Sequence, residues 1–190
     1  MTRTRAPILA FLSLIGCSGA APAPAADEPR LVREKMPANA APQNLANMER
    51  RLLVIHNRAR AEVGVPALVW DTDLARRSAP YAATLAKRGR LAHSEPKDRP
   101  GQGENLWLGT RGAYSIEEMA GGWVDEKRMF RAGIFPQVSN TGRWSDIAHY
   151  TQIIWRATTR VGCAIHKGKE WDVLVCRYAP AGNVVGRRVP

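Results

Sequence analysis

An α+β domain, with about four helices flanking a small antiparallel sheet, is the fold the sequence predicts. Three observations carry it. Apolar residues recur at three- and four-residue steps in two segments between residues 45 and 88, and a Ser-x-x-Glu signature at Ser115 opens a third such segment. Two alternating apolar runs then close the chain around Lys167-Gly168-Lys169-Glu170. A length of 190 residues with 45% hydrophobic side chains suits one such core, so a single domain with a tail is expected.

Leu45, Met48, Leu52, Ile55, Ala59 and Val63 form the first helical stripe, with Asn44 expected as its N-cap and Gly64 as its stop. After a Val65-Pro66 turn, the stretch from Asp71 to Arg88 places Leu74, Ser78, Tyr81, Ala82 and Leu85 on one face and ends at Gly89. Pro80 removes a backbone donor inside this second helix and is expected to bend it. Ser115 and Glu118 form a capping box ahead of Ile116, Met119, Ala120 and Trp123, in a third helix that Gly121-Gly122 should weaken. A short fourth helix is expected near Asp146 to Trp155. The preceding run, with Met129, Phe130, Ile134 and Phe135, reads as a loop offering exposed apolar side chains and so as a candidate binding loop.

Val161 to His166 and Trp171 to Tyr178 read as the strands of a hairpin. With its turn centred between Gly168 and Lys169, Cys163 faces Leu174 and Cys176 faces Val161. The two sulfurs are then diagonal neighbours, and a bridge between them needs a bulge or a small register shift.

The first residues carry Arg3 and Arg5 and then the apolar run from Ile8 to Ile15, too short to span a bilayer, which predicts an export signal over 1–16. Leu14-Ile15-Gly16-Cys17 looks like a bacterial lipobox, in which cleavage leaves Cys17 as an acylated N-terminus. Small-residue sites in Ala21-Pro22-Ala23-Pro24-Ala25-Ala26 keep plain secretion as the alternative. Three cysteines in an exported chain leave an odd one, and acylation of Cys17 would leave Cys163 and Cys176 to pair. Residues 17–43, rich in alanine and proline, are expected to be a flexible tether that holds the domain, 44–190, away from a membrane.

The formal charge of +11 falls to +9 when Arg3 and Arg5 leave with the signal. Such a surface attracts anionic lipid or an acidic envelope polymer at low salt. The charge is nevertheless scattered along the chain, as in Arg76-Arg77, Lys87-Arg88 and Arg187-Arg188. No nucleic-acid-binding module is present, so no nucleic acid is expected as a partner.

Four segments resemble, in order, the motifs of the CAP superfamily of cysteine-rich secretory, antigen 5 and pathogenesis-related 1 proteins. They are His56-Asn57-Arg58-Ala59-Arg60, Gly103-Glu104-Asn105-Leu106, Ala148-His149-Tyr150-Thr151-Gln152-Ile153-Ile154-Trp155, and the stretch from Val173 through Cys176-Arg177-Tyr178 to Gly182-Asn183. The one departure inside them is Ala148, where many members carry glycine. The resemblance implies an α-β-α sandwich, a disulfide between Cys163 and Cys176, and a cleft holding two histidines and two glutamates, which fall here on His93, Glu104, Glu126 and His149.

Within that implied cleft, His93 and His149 would be the metal ligands, because neutral imidazoles suit zinc while carboxylates fix a ring tautomer. Two protein ligands make a weak, open site that empties as imidazoles protonate. The reading for the chain is therefore a binding protein of the bacterial cell envelope, with a divalent metal and a lipid or small hydrophobic ligand in its cleft. A metal-assisted hydrolase is the second reading, although His-Glu-x-x-His and Gly-x-Ser-x-Gly are both absent and Ser94 is a nucleophile only by adjacency to His93. A recognition protein for acidic envelope polymers, with a vestigial cleft, is the third. His56 reads as a partly buried histidine bonded to a neighbouring loop, Asn57 and Arg60 as residues pinning the first helix to the sheet, and Tyr178 as an anchored tyrosine.

Overall fold

The computed structural model describes residues 44–190, so the expected signal, Cys17 and the tether lie outside the described residues. Helix α1 spans Met48–Glu62 and α2 Thr72–Arg88, separated by the two-residue strand β1, Val69–Trp70. Strand β2, Gly103–Thr110, leads to α3, Ile116–Asp125. The short strand β3, Gly133–Ile134, precedes α4, Ala148–Ile153. Strands β4, Arg160–Lys167, and β5, Trp171–Ala179, form the hairpin, and β6, Arg188–Val189, pairs with β3.

Local chemistry explains the helix ends. The Asp71 carboxylate accepts from the Leu74 N–H at 2.9 Å and Gly89 closes α2 in the left-handed region at φ 64°, while Pro80 lies inside without ending it. The Ser115/Glu118 capping box is formed, and α3 runs through Gly121-Gly122 because Ile116, Met119, Ala120 and Trp123 are all buried. Helix α1 departs from expectation at its start. It begins at Met48 behind Asn47, at φ 54°, and Asn44 instead accepts from the Ala46 N–H in a turn ahead of the helix.

The main sheet has the order β1-β4-β5-β2. Its three long strands are antiparallel, and β1 pairs parallel with β4, which makes the sheet mixed. Helix α2 covers one face, packing Ala82, Leu85 and Ala86 on Leu106, Leu108, Val173 and Val175. Helices α1, α3 and α4 cover the other, with Leu52, Ile116, Met119 and Ile153 in one cluster with Leu174 and Tyr178 of β5. This is the α-β-α sandwich. Because both faces of the sheet are covered, β2 is buried along nearly its whole length and lacks the alternation that would announce a strand.

The hairpin register corrects the expected one. Lys167 pairs with Asp172 and the Gly168 N–H donates to the Trp171 carbonyl at 2.9 Å, so Lys169-Glu170 form the two-residue tip. Moving the centre by one residue shifts the pairing by two. Cys163 therefore lies directly opposite Cys176, with Cα atoms 4.1 Å apart, and the disulfide forms without a bulge.

The run over 129–136 is a second correction. Phe135 is buried edge-on against Trp144 and Trp155, Phe130 is half-buried edge-on against Tyr150, and Met129 also packs on the core. Pairing of β3 with β6 holds the segment down, and of these apolar side chains Ile134 alone is exposed. The loop completes a core; it does not present an apolar platform.

Candidate functional site

Two buried polar networks come from the motif segments. His56 is fully buried on α1, its Nδ1 2.7 Å from the Leu52 carbonyl and its Nε2 2.8 Å from the Tyr178 hydroxyl. Burial pushes the imidazole down to about 4, so the ring is neutral. The Asn105 amide donates to the same hydroxyl and to the His149 carbonyl, each at 3.1 Å. Arg60, also fully buried, donates to the carbonyls of Pro66, Ile153, Trp155 and Thr158, while Asn57 pairs both ways with the Leu68 backbone. These side chains tie α1 to the loops that enter β1 and β4 and follow α4. They satisfy one another and leave nothing for a ligand.

A different arrangement lines a recess of about 480 Å³ bounded by His93, Glu104, Asn105, Trp144, His149 and Asn183, among others. His93 sits in the loop after α2, and its Nδ1 is 3.0 Å from Glu104 Oε1. Glu104, on the second residue of β2, is buried and also accepts from the Ser94 N–H at 3.0 Å and the Ser94 hydroxyl at 2.8 Å. Burial opposes its charge, yet the hydrogen bonds from His93 and Ser94 outweigh that and hold its carboxyl below the usual range. Arg177 Nε at 3.6 Å and Arg99 Nε at 3.8 Å add positive charge beside it.

The second histidine is held in the same way by different elements. His149 is the second residue of α4, and its Nδ1 lies 2.5 Å from Glu126 Oε1, while Glu126 Oε2 accepts from the Tyr150 N–H at 3.0 Å. The Trp123 ring stacks on the imidazole at 5.8 Å, so the three-residue spacing from Trp123 to Glu126 clamps it by face and by edge. Below the ring, Asn183, at φ 55°, donates to the Ala148 carbonyl and accepts from the Thr151 hydroxyl, which ties the last motif to the helix.

His93, Glu104 and His149 thus face one recess, and Glu126 stands behind His149 outside its lining. Each imidazole is oriented through Nδ1 by a carboxylate, and neither Nε2 has a hydrogen-bond partner among the described residues. That is the outer-shell pattern of a metal-ligating histidine. Among the described residues no group of three or more His, Cys, Asp or Glu side chains is gathered for an ion, so two imidazoles are the protein donors on offer.

Ser94 is no nucleophile in this geometry, because its hydroxyl donates to Glu104 and receives Arg177, not His93. Sequence reasoning missed Arg177 and Arg99 as neighbours of Glu104. Arg177 lies inside a quoted motif, but its partner is distant in sequence and no local spacing signals it. His166 is half-buried at the far end of the hairpin.

The sequence profile of the cysteine-rich secretory protein (CAP) family matches residues 53–178. Pathogenesis-related protein 1B of Nicotiana tabacum is 38% identical over 143 residues, covering 74% of this chain and 80% of the relative. Secreted protein RBT4 of Candida albicans is 35% identical over 140 residues, which cover 72% of this chain and 36% of that one. Among solved structures, NaASP2 with Zn2+ has a TM-score of 0.64 at 23% identity, over 82% of this chain and 89% of that one. Venom allergen-like protein 4 of Schistosoma mansoni has a TM-score of 0.56 at 22% identity, over 74% and 94%. At such identities the two structures speak to the fold. The profile and the plant relative speak to ancestry as well, and the chain belongs to the cysteine-rich secretory protein (CAP) family, a family of secreted proteins.

Proposed function

We propose that this chain is an exported binding protein, tethered to a bacterial envelope through Cys17, whose recess holds a divalent ion between His93 and His149. The observation that carries the reading is the matched pair of carboxylate-held imidazoles facing one recess. Borderline nitrogen donors with Nδ1 fixed suit zinc, and NaASP2, a protein of the same fold, has been solved with Zn2+. When bound, the ion supplies a Lewis-acidic centre with open positions for water or a ligand group. Glu104 and Glu126 hold the rings, Trp123 stacks on one of them, and Leu91, Ala92 and Trp144 offer an apolar wall to the hydrophobic part of a fatty acid or phospholipid.

The geometry favours binding over hydrolysis. Moving a proton from water needs a carboxylate oxygen with free capacity near the reacting centre. The Glu104 carboxylate is wholly buried beneath the hydrogen bonds it accepts from His93 and Ser94, and Glu126 stands behind His149 outside the recess lining, so neither is presented to a water in the recess.

Calorimetric zinc titration of the full-length chain, beside His93→Ala/His149→Ala, tests the proposal. Saturable heat from the parent and none from the double variant is the expected result. A parent that releases no heat overturns it, and so does a double variant that binds as the parent does.

A further inference from the structure

We infer that the face formed by the β3–β6 pair and the turn ahead of β6 docks on an anionic lipid bilayer. The inference needs neither an ion in the recess nor acylation of Cys17. Four of the six large apolar side chains exposed among the described residues, Ile134, Trp144, Val184 and Val185, belong to this face. Beside them Arg156, Arg187 and Arg188 line a groove of about 490 Å³ together with Val184, and no acid stands in its lining.

Pairing of distant segments builds the face. Ile134 and Arg188 are partners in the β3–β6 register, so their side chains leave the ladder on one side, while the buried Phe135 turns the other way and meets Trp144 edge-on at 5.6 Å. The Arg187 N–H donates to the Val184 carbonyl at 3.2 Å and Gly186 stands at φ 80°, which closes a tight turn and lifts Val185 to 75% exposure at its tip. Hydrogen bonds of 2.9 Å from the Gly186 N–H to the Phe135 carbonyl and from the Phe135 N–H to the Arg187 carbonyl fix the turn beside Ile134. The face borders the recess, whose lining includes Trp144 and shares Ala181 with the groove.

Charge alone does not single out this place. Lys87, Arg88 and Lys169, around the hairpin tip, also lack a carboxylate partner among the described residues, but Glu170 stands among them and none of the exposed large apolar side chains lines that groove. On the β3–β6 face the two features coincide. The Arg187 and Arg188 side chains have no partner among the described residues, and Arg156 donates only to the Gly64 carbonyl, at 3.3 Å. A soluble polyanion would engage the guanidiniums and leave the valines and Trp144 in water. A projecting turn covers too little area to hold a rigid protein partner. A bilayer takes both features: guanidiniums reach lipid phosphates, an indole settles at the headgroup level, and short apolar side chains enter the acyl boundary. Docked in this way, the recess rim at Trp144 meets the lipid surface, from which the fatty acid or phospholipid proposed for the recess would come.

The test is co-sedimentation of the full-length chain with vesicles, every variant keeping the same residues 1–43. Equimolar phosphatidylglycerol–phosphatidylcholine vesicles are set beside phosphatidylcholine alone. The variants are Arg187→Glu/Arg188→Glu and Val184→Ser/Val185→Ser, with Lys87→Glu/Arg88→Glu, an equal change in net charge elsewhere, as control. The parent should prefer the anionic vesicles. Each face variant should bind them roughly tenfold more weakly or worse, while the control and His93→Ala/His149→Ala stay near the parent. Lipid brominated in its acyl chains should quench the parent's tryptophan fluorescence, and quench Trp144→Phe less. A parent without affinity for anionic vesicles overturns the inference, and equal losses in the control and the arginine variant reduce the effect to net charge and overturn it too. A valine variant that binds as the parent does, with heparin displacing both from the vesicles, would make the occupant a soluble polyanion. A parent that binds without quenching would show adsorption with no insertion, and either result sinks the docking face.

Discussion

His56 lies beneath the sheet's helical cover, and His93 and His149 stand at the rim of the recess, so one residue type serves two ends in one domain. Protein groups occupy both nitrogens of His56, Leu52 on one side and Tyr178 on the other, and the ring is wholly buried. Each recess histidine has one nitrogen held by a glutamate and the other turned away from protein partners. A donor satisfied on both sides contributes to folding and is unavailable to a ligand. One satisfied on a single side is pre-oriented for something the chain does not itself provide.

The comparison breaks most visibly at the folding network. Arg60→Met should lower stability by about 4 kcal/mol, since it leaves the carbonyls of Pro66, Ile153, Trp155 and Thr158 buried without their donor. Urea denaturation checks this, and a loss below about 1 kcal/mol would mean that water replaces the guanidinium.

Acid should act on the same network. The unfolded chain takes up a proton on His56 near pH 6.5, while the folded chain resists it down to about 4, so folding stability falls as pH drops through that window. The loss is about 3 kcal/mol. Glu104, whose carboxyl is held low in the folded state, adds a loss of the same sign at still lower pH. In His56→Gln the slope between pH 6.5 and 4 should flatten, as followed by denaturation at a series of pH values.

On the recess side the effects should fall on binding. Glu126→Gln keeps the shape but weakens the hold on His149 Nδ1, and zinc affinity should fall by roughly tenfold to a hundredfold in competition with a chelating dye. Unchanged affinity would place Glu126 outside the metal's support. Smallest of all should be the stability change in metal-free His93→Ala/His149→Ala, about 1 kcal/mol or less by thermal melting. A larger loss would make these rings part of the fold and erase the contrast with His56.

The elements legible in advance were those whose signals are local. Asp71 and Gly89 bound α2, and Ser115 with Glu118 opens α3, because caps are set by neighbours three or four residues away. Strand β2 was invisible for the opposite reason: buried under helices on both faces, Gly103–Thr110 carries no alternation. The hairpin was evident but its register was not, since the tip closes at Lys169-Glu170 only where Gly168 can pack against Trp171 and Ala86. Phe135 looked like a surface residue until Trp144 and Trp155 enclosed it. At the site, the four residues His93, Glu104, Glu126 and His149 were singled out through their motifs. Which glutamate holds which histidine, and the presence of Arg177 behind Glu104, could not be read from spacing.

By itself the sequence determined both ends of α2 and the start of α3, that two cysteines flank a hairpin tip, and to which family the chain belongs, because each depends on residue types at short or recurring separations. Only the tertiary structure decided the pairing register, the burial of the 129–136 run, the division of the histidines into satisfied and open ones, and the gathering of Arg156 with Arg187 and Arg188. Those depend on contacts between segments far apart in the chain, where packing and the need to partner every buried polar group outweigh local preference.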